Sequence, residues 1–220
     1  MTIPAIAGYR IPESLPPNAV EWRPEPDRAV LLVHDMQQYF MDKFPSGAEP
    51  ASTVVSNIAL LQSAARSVGA PVAFTAQRGD ATPGERGLLR DFWGPGMSAD
   101  PAHTRIVRGL EPGPEDLVLR KHRYSAFHRT NLSEWMAEAG RDQLIVCGVY
   151  AHIGCLMTAF DAFSNDIQPF LVADAVADFT AEDHRLALEL AARRCAAVVR
   201  SRDVEAALVG SPAALTNSDF

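Results

Sequence analysis

The sequence predicts a single α/β domain of three layers, Rossmann-like, with a six-stranded, mainly parallel sheet between helices. Three observations carry this. The strand candidates are continuous apolar runs, the pattern of strands buried on both faces. They alternate along the chain with segments of helical period. The chain has 220 residues, 47% of them apolar and 21% charged, enough for one sizeable core of ordinary globular composition.

Residues 1–28 are proline-rich (Pro4, Pro12, Pro16, Pro17, Pro24, Pro26) and aperiodic. They read as an arm lying over the domain or reaching to a partner subunit. The domain itself is expected over 29–209. "AVLLVHD" (29–35) is its first strand. In 52–70, Val54, Ile58, Leu61, Ala65 and Val68 share a helical face, and Gly69 marks the stop. "PVAFTAQ" (71–77) is the second strand, with proline first, where a missing N–H matters least. Residues 78–116 form a long Gly/Pro-rich excursion around "DFWGPGM", a length that compact domains usually reserve for function. "DLVLRK" (116–121) is the third strand. "NLSEWMAEAG" (131–140) reads as a short helix with Asn131 as N-cap, Glu134 completing a capping box and Gly140 past its end. A strand at 143–149 and a helix at 154–164 follow. Next come a strand at 168–173, an amphipathic helix at 181–195 and a strand at 196–201. The last helical turns fall at 202–208, and 210–220 is a tail. Connections between parallel strands should be right-handed.

A net charge of −7 gives no basis for nucleic-acid binding. No run of 18 or more apolar residues is present, so no membrane span is expected. The first residues lack the basic start and apolar core of a secretory signal. Cys147, Cys155 and Cys195 are odd in number and sit in apolar segments. That suits reduced thiols and a cytoplasmic setting. No C-x-x-C or H-x-x-x-H pair occurs, and His122 and His128 do not share a helical face, so no metal is expected. Neither G-x-G-x-x-G nor a P-loop signature follows a strand, which removes the main support for a nucleotide cofactor.

In sheets of this kind ligands bind beyond the carboxyl ends of the strands. The first strand ends in His34-Asp35 and the second in Gln77, with Arg86 following in the excursion. The third ends in Lys121, and the fourth runs into Tyr150 and "AHIGC". An acid, an amide, a lysine and a tyrosine therefore fall together where the fold puts active sites. Cys155, at a strand-to-helix turn, is where a nucleophilic thiolate could gain from a helix N-terminus. His34 has no partner evident in the sequence and is read as structural.

"LLVHDMQQYF" (31–40), "KHRYSAF" (121–127) and "CGVYAHIGCLMTAFDAFSNDIQPFLVADAVADF" (147–179) resemble the isochorismatase family of the isochorismatase-like hydrolases, and within it the phenazine-pathway branch acting on 2-amino-2-deoxyisochorismate. The likeness spans about residues 20–200. In the cysteine hydrolases of that superfamily the thiol stands at the sixth position after the glycine of the G-V turn. Counted from Gly148 that position is Gly154, and Cys155, one residue on, would point about 100° away on a helix. The resemblance therefore implies that Cys155 is a packing residue. It implies Asp35 and Lys121 as catalytic residues. Gln77, Arg86, Trp93, Tyr150, Gly154, Phe40 and Phe44 are the implied binding residues, with no cofactor, a homodimer, and a cis peptide before Tyr150.

The reaction so implied is vinyl-ether hydrolysis. Asp35 protonates the terminal methylene of an enolpyruvyl group, water captures the oxocarbenium ion, and the hemiketal collapses to pyruvate and an alcohol. The acid must hold a proton near neutral pH against an ordinary value of about 3.9. Lys121 opposes this. Apolar walls (Phe40, Phe44, Trp93) and the two carboxylates of the substrate favour it. Gly154 would let an anion approach the backbone of the following helix, and Trp93 would act as an aromatic lid. Two rival readings remain: a cysteine-dependent amidase using Cys155 in a shifted register, and a binding protein that retains the fold without catalysis. Thiol alkylation separates the first; the Asp35/Lys121 pair argues against the second.

Overall fold

The structure is a computed structural model that describes residues 3–210; the expected tail from 211 onward lies outside the described residues. Six strands form one sheet: β1 (Ala29–His34), β2 (Val72–Gln77), β3 (Leu117–Lys121), β4 (Gln143–Val149), β5 (Gln168–Ala177) and β6 (Ala197–Val199). Their order is β3-β2-β1-β4-β5-β6, and every pair is parallel. The order reverses between β1 and β4, which opens the crevice where such sheets bind ligands.

The helices are α1 (Gln38–Met41), α2 (Ala51–Ser67), α3 (Pro83–Arg86), α4 (Leu89–Trp93), α5 (Pro101–Thr104), α6 (Leu132–Glu138), α7 (Leu156–Ser164), α8 (Ala181–Arg194) and α9 (Ser201–Val209). Alternate residues of β1 feed two cores. Leu31 and Val33 pack with Ile58 and Leu61 of α2, and Val30 and Leu32 pack with Leu156 and Ala159 of α7 and Leu188 of α8. Both faces are covered, which is why the strand is apolar throughout. Ile58 and Leu61 are fully buried, each contributing roughly 1.5–3 kcal/mol.

Several boundaries differ from the sequence expectation. The excursion carries α3, α4 and α5, made by local caps: Thr82 accepts from the Glu85 N–H at 3.3 Å while Glu85 accepts from the Thr82 N–H at 2.8 Å, and Asp100 accepts from the Ala102 N–H at 2.8 Å. α6 has no capping box. Asn131 sits at φ −99°, ψ 24° and makes no side-chain cap, because an N-cap side chain reaches its N–H only from extended backbone. Gly69 and Gly140 take φ of 69° and 66°, the left-handed stops their positions predict. β5 runs on to Ala177 across an irregularity, its pairing stepping from Val146↔Leu171 to Gly148↔Val176. β6 stops at Val199 because Ser201 starts α9, its N–H and hydroxyl donating to Asp174 at 2.8 and 2.9 Å. The helix after β4 begins early, as a π-helical turn over Ala151–Cys155.

The N-terminal arm lies against its own domain. Ile3 and Ile6 are buried. The Ile6 N–H donates to Lys43 O at 2.8 Å and the Ala19 N–H to Ala192 O at 3.0 Å. Tyr9 accepts from the Asp178 N–H at 2.7 Å and meets His184 Nδ1 at 3.1 Å. No helix among the described residues is long and apolar enough to cross a membrane.

Candidate active site

Three neighbouring strands deliver one charged cluster. Register sets His34 opposite Thr75 and Gln77 opposite Lys121. Asp35 follows β1 at φ 50°, a left-handed conformation unusual for a residue with a side chain and found where surroundings enforce it. Its N–H donates to Thr75 Oγ1 at 3.0 Å, and the Thr75 hydroxyl donates to Asp35 Oδ1 at 2.6 Å. Gln77 Nε2 donates to Oδ2 at 3.2 Å, and the Lys121 ammonium donates to the same oxygen. Asp35 is 3% and Lys121 6% exposed. Burial pushes the Asp35 carboxyl up, but the Lys121 charge and the hydrogen bonds from Lys121 and Thr75 hold it below the usual carboxylate range. In the unliganded site it is a carboxylate.

Arg86 reaches the cluster from α3. Its Nε donates to Gly94 O at 3.1 Å and its Nη1 to Gln77 Oε1 at 3.0 Å. It is 8% exposed, and among the described residues it forms no ion pair with a carboxylate. A guanidinium so placed has neutral partners, and its Nη2 makes no hydrogen bond among the described residues, which leaves a donor for an anion.

The cleft over this cluster holds about 460 Å³ of free space, part of it open to solvent, and its lining includes Asp35, Gln77, Arg86, Trp93, Lys121, Tyr150, Gly154 and Phe40. Phe44 is the exception among the expected residues. It packs against the Tyr150 ring at 5.9 Å and does not reach the cleft, so it backs the wall. The Tyr150 hydroxyl donates to Phe40 O at 3.1 Å, which makes the residue an aromatic wall whose polar end is already used. Trp93 donates from Nε1 to the Tyr124 hydroxyl at 2.9 Å and lies 5.8 Å from the Phe179 ring. Gly154 lies inside the π-helical turn, and the Val149–Tyr150 peptide is cis.

Sequence reasoning missed Thr75, although it shares a strand face with Gln77 two residues on. It missed Gln37, whose Nε2 donates to Gln77 O and Thr104 O at 2.9 and 2.8 Å and whose Oε1 accepts from the Gln77 N–H at 2.7 Å. It also missed Ile3, Arg123, Tyr124 and Phe179, all in the lining. Arg123 and Tyr124 lie two and three residues after Lys121. Phe179 was hidden by ending the fifth strand too soon.

Cys155 is fully buried in the core under α7 and α8, outside the lining. Burial pushes its thiol well above the ordinary value, so it offers no thiolate. Beside the cleft, His152, Asp178 and Asp183 place ligand-type atoms within 4.8 Å of one another. There Asp178 accepts from the His152 N–H and Nδ1, both at 2.6 Å, and from the Phe179 N–H at 2.8 Å. Those bonds fix the turn that carries Phe179.

A parallel Rossmann-like sheet with an acid, a lysine and an amide at its switch point defines a small-molecule hydrolase of the isochorismatase-like architecture. The profile of the isochorismatase domain matches residues 29–203, and the chain belongs to the isochorismatase family. It is 52% identical over 215 residues to "Isochorismatase" of Bacillus subtilis, covering 97% of this chain and 69% of that one. It is 53% identical over 204 residues to "Phenazine biosynthesis protein PhzD1" of Pseudomonas aeruginosa, covering 92% and 98%. Among solved structures, a cysteine hydrolase from Pseudomonas syringae superposes with a TM-score of 0.80 at 23% identity, covering 90% and 98%; that likeness speaks for the fold. The protein is an enzyme of the isochorismatase type.

Proposed function

We propose that the protein hydrolyses the enolpyruvyl vinyl ether of 2-amino-2-deoxyisochorismate, or of its hydroxyl counterpart isochorismate, with Asp35 as general acid. The observation that carries this is a single buried carboxylate, held by Thr75, Gln77 and Lys121, in a cleft otherwise cationic and apolar whose lining holds no cysteine. Asp35 gives its proton to the methylene carbon, leaving an oxocarbenium ion. Water adds to the cationic carbon that bears the ether oxygen and returns a proton to Asp35. The hemiketal breaks its C–O bond to give pyruvate and the ring alcohol. Lys121 and Arg86 bind and orient the anionic substrate, and the Tyr150, Phe40, Trp93 and Phe179 rings exclude bulk water. Likeness to the phenazine protein supports the amino substrate and likeness to the Bacillus isochorismatase supports the hydroxyl one.

The test is pyruvate release from purified protein with each substrate, for wild type, Asp35→Asn and Cys155→Ala. Turnover retained in Cys155→Ala and reduced at least about 100-fold in Asp35→Asn is the expected result. Pyruvate from neither substrate with wild type would sink the reading.

A further inference from the structure

Glycine at 154 is dictated by the imidazole of His34. A Cβ built on Gly154 would stand 2.2 Å from His34 Cε1, 2.9 Å from Nδ1 and 3.0 Å from Nε2, where carbon contacts ordinarily need about 3.5–4.0 Å. The ring cannot step aside, because His34 is fully buried and its strand is paired on both sides, to Thr75 of β2 and Gly148 of β4. A Cβ on Gly148 would in turn meet His34 O at 2.1 Å. His34 Nδ1 lies 3.0 Å from Val149 O. A carbonyl only accepts, so Nδ1 carries the proton and donates. Nε2 is then a bare acceptor, and among the described residues no donor meets it. Burial pushes the ring's pKa down to about 4, consistent with a neutral imidazole 3.9 Å from the Asp35 carboxylate.

An imidazole with one satisfied and one orphaned nitrogen is a poor choice for stability alone. An apolar side chain of similar size would fill the same room without the orphan. What only the imidazole supplies is the N–H on the Val149 carbonyl, at the point where β4 turns into the wall of the cleft.

We propose, building on the reading of Asp35 as the acid, that His34 is a positioning residue. Its ring occupies the room that a side chain at 154 would need, and its Nδ1–H holds the Val149 carbonyl. The acid after β1 and the Tyr150–Gly154 turn therefore stand at one spacing, and no side chain, a thiol included, can be presented at 154. Residues 34 and 154 are a coupled pair: anything larger than glycine at 154 requires something smaller than histidine at 34.

Two measurements test this. The first is a melting-temperature cycle over Gly154→Ala, His34→Ala and the double variant, which needs no substrate. Alanine is intrinsically better than glycine in a helical turn. Gly154→Ala should nevertheless lower the melting temperature by about 5 °C or more in wild type, and leave it unchanged or raise it in the His34→Ala background. If Gly154→Ala does not fold, a folded double variant supports the pairing, and a double variant that fails while His34→Ala folds overturns it. Equal shifts in both backgrounds also overturn it. The second is pyruvate release by His34→Asn, whose amide N–H can replace Nδ1–H, and by His34→Leu, which has none. His34→Asn should keep kcat within about threefold, and His34→Leu should lose roughly 10- to 100-fold in kcat with KM changed less than threefold. Unchanged kcat in His34→Leu would overturn the positioning role. Absence of pyruvate from wild type would instead count against the substrate reading, and the melting cycle would still report on the pair.

Discussion

Arg86→Met separates binding from folding, because the structure predicts opposite signs for the two. Arg86 is buried, its two hydrogen bonds go to neutral oxygens, Gly94 O and Gln77 Oε1, and burial lowers its pKa from the usual guanidinium value. In the free protein a nearly unpaired cation is therefore held out of water. Replacing buried charge by an apolar group of similar volume is often neutral or stabilising by about 1–4 kcal/mol. Two lost hydrogen bonds offset part of that, so the melting temperature should stay level or rise. With substrate, Arg86 would make a charge-assisted bond to a carboxylate, worth about 1.5–3 kcal/mol. At 1.4 kcal/mol per decade, KM should rise about 10- to 150-fold. The assay is a thermal melt without ligand beside pyruvate release coupled to lactate dehydrogenase. A melting temperature that falls by 5 °C or more with KM unchanged would show that Arg86 builds the excursion instead of binding anion, and the reasoning would fail.

Lys121→Met leaves Asp35 buried without its cation and should cost about 3–5 kcal/mol at pH 7. Asp35 has a lowered pKa in the native state, so its stabilising contribution is present above the ordinary carboxylate value and lost as pH falls through the folded one. In the variant the burial that raises the Asp35 carboxyl acts without Lys121 to oppose it, so the variant relieves its unpaired charge by taking up a proton as pH falls from 7 toward 4 and the gap in melting temperature should narrow there; a constant gap would refute the ion-pair account. Thr75→Val removes the hydroxyl that accepts from Asp35 N–H and donates to Oδ1, and should lower kcat about tenfold or more with a smaller change in KM, read by the same pyruvate assay. Cys155→Ala should keep kcat within about twofold, and iodoacetamide should not inactivate the native wild type, as expected of a buried inert thiol; rapid inactivation would return the cysteine to the reaction.

The parts of the fold legible in the sequence were those written in local pattern. Continuous apolar runs marked β1, β2 and β4 because helices cover both sheet faces. Gly69 and Gly140 marked helix ends because only glycine takes those dihedrals cheaply. What stayed hidden depended on contacts between distant segments. Gln37 gave no local signal, and its role comes from three hydrogen bonds to Gln77 and Thr104. Ile3 joined the cleft only because the arm folds back over the domain. Asn131, a good N-cap by residue type, failed because its backbone stands at φ −99°, ψ 24° and not in the extended range an N-cap uses. The strand-end rule placed Asp35, Gln77 and Lys121 together correctly, since parallel register puts their ends at one level. The same rule said nothing of Phe44, which belongs to the layer behind Tyr150.

On the proposed reading of Asp35 as general acid, the charge of the cleft sets when that acid can act. Lys121, Arg86 and Arg123 line it against Asp35 as its one carboxylate, although the whole chain carries −7. Lys121 and the Thr75 hydroxyl hold the Asp35 carboxyl below the ordinary carboxylate range, so on that reading the acid must gain its proton in the complex. A dianionic substrate brings two negative charges, and each lowers the cost of protonating the carboxylate beside it. Binding should therefore draw a proton from solvent onto Asp35 before any bond breaks. A dianionic analogue with a saturated ether would bind without turning over. At pH 7 its binding should take up about one proton per site, seen as a dependence of calorimetric enthalpy on the buffer's ionisation enthalpy. The uptake should vanish in Asp35→Asn. Tight binding without proton uptake in the wild type would mean that Asp35 stays ionised in the complex, and the donor would have to be another group.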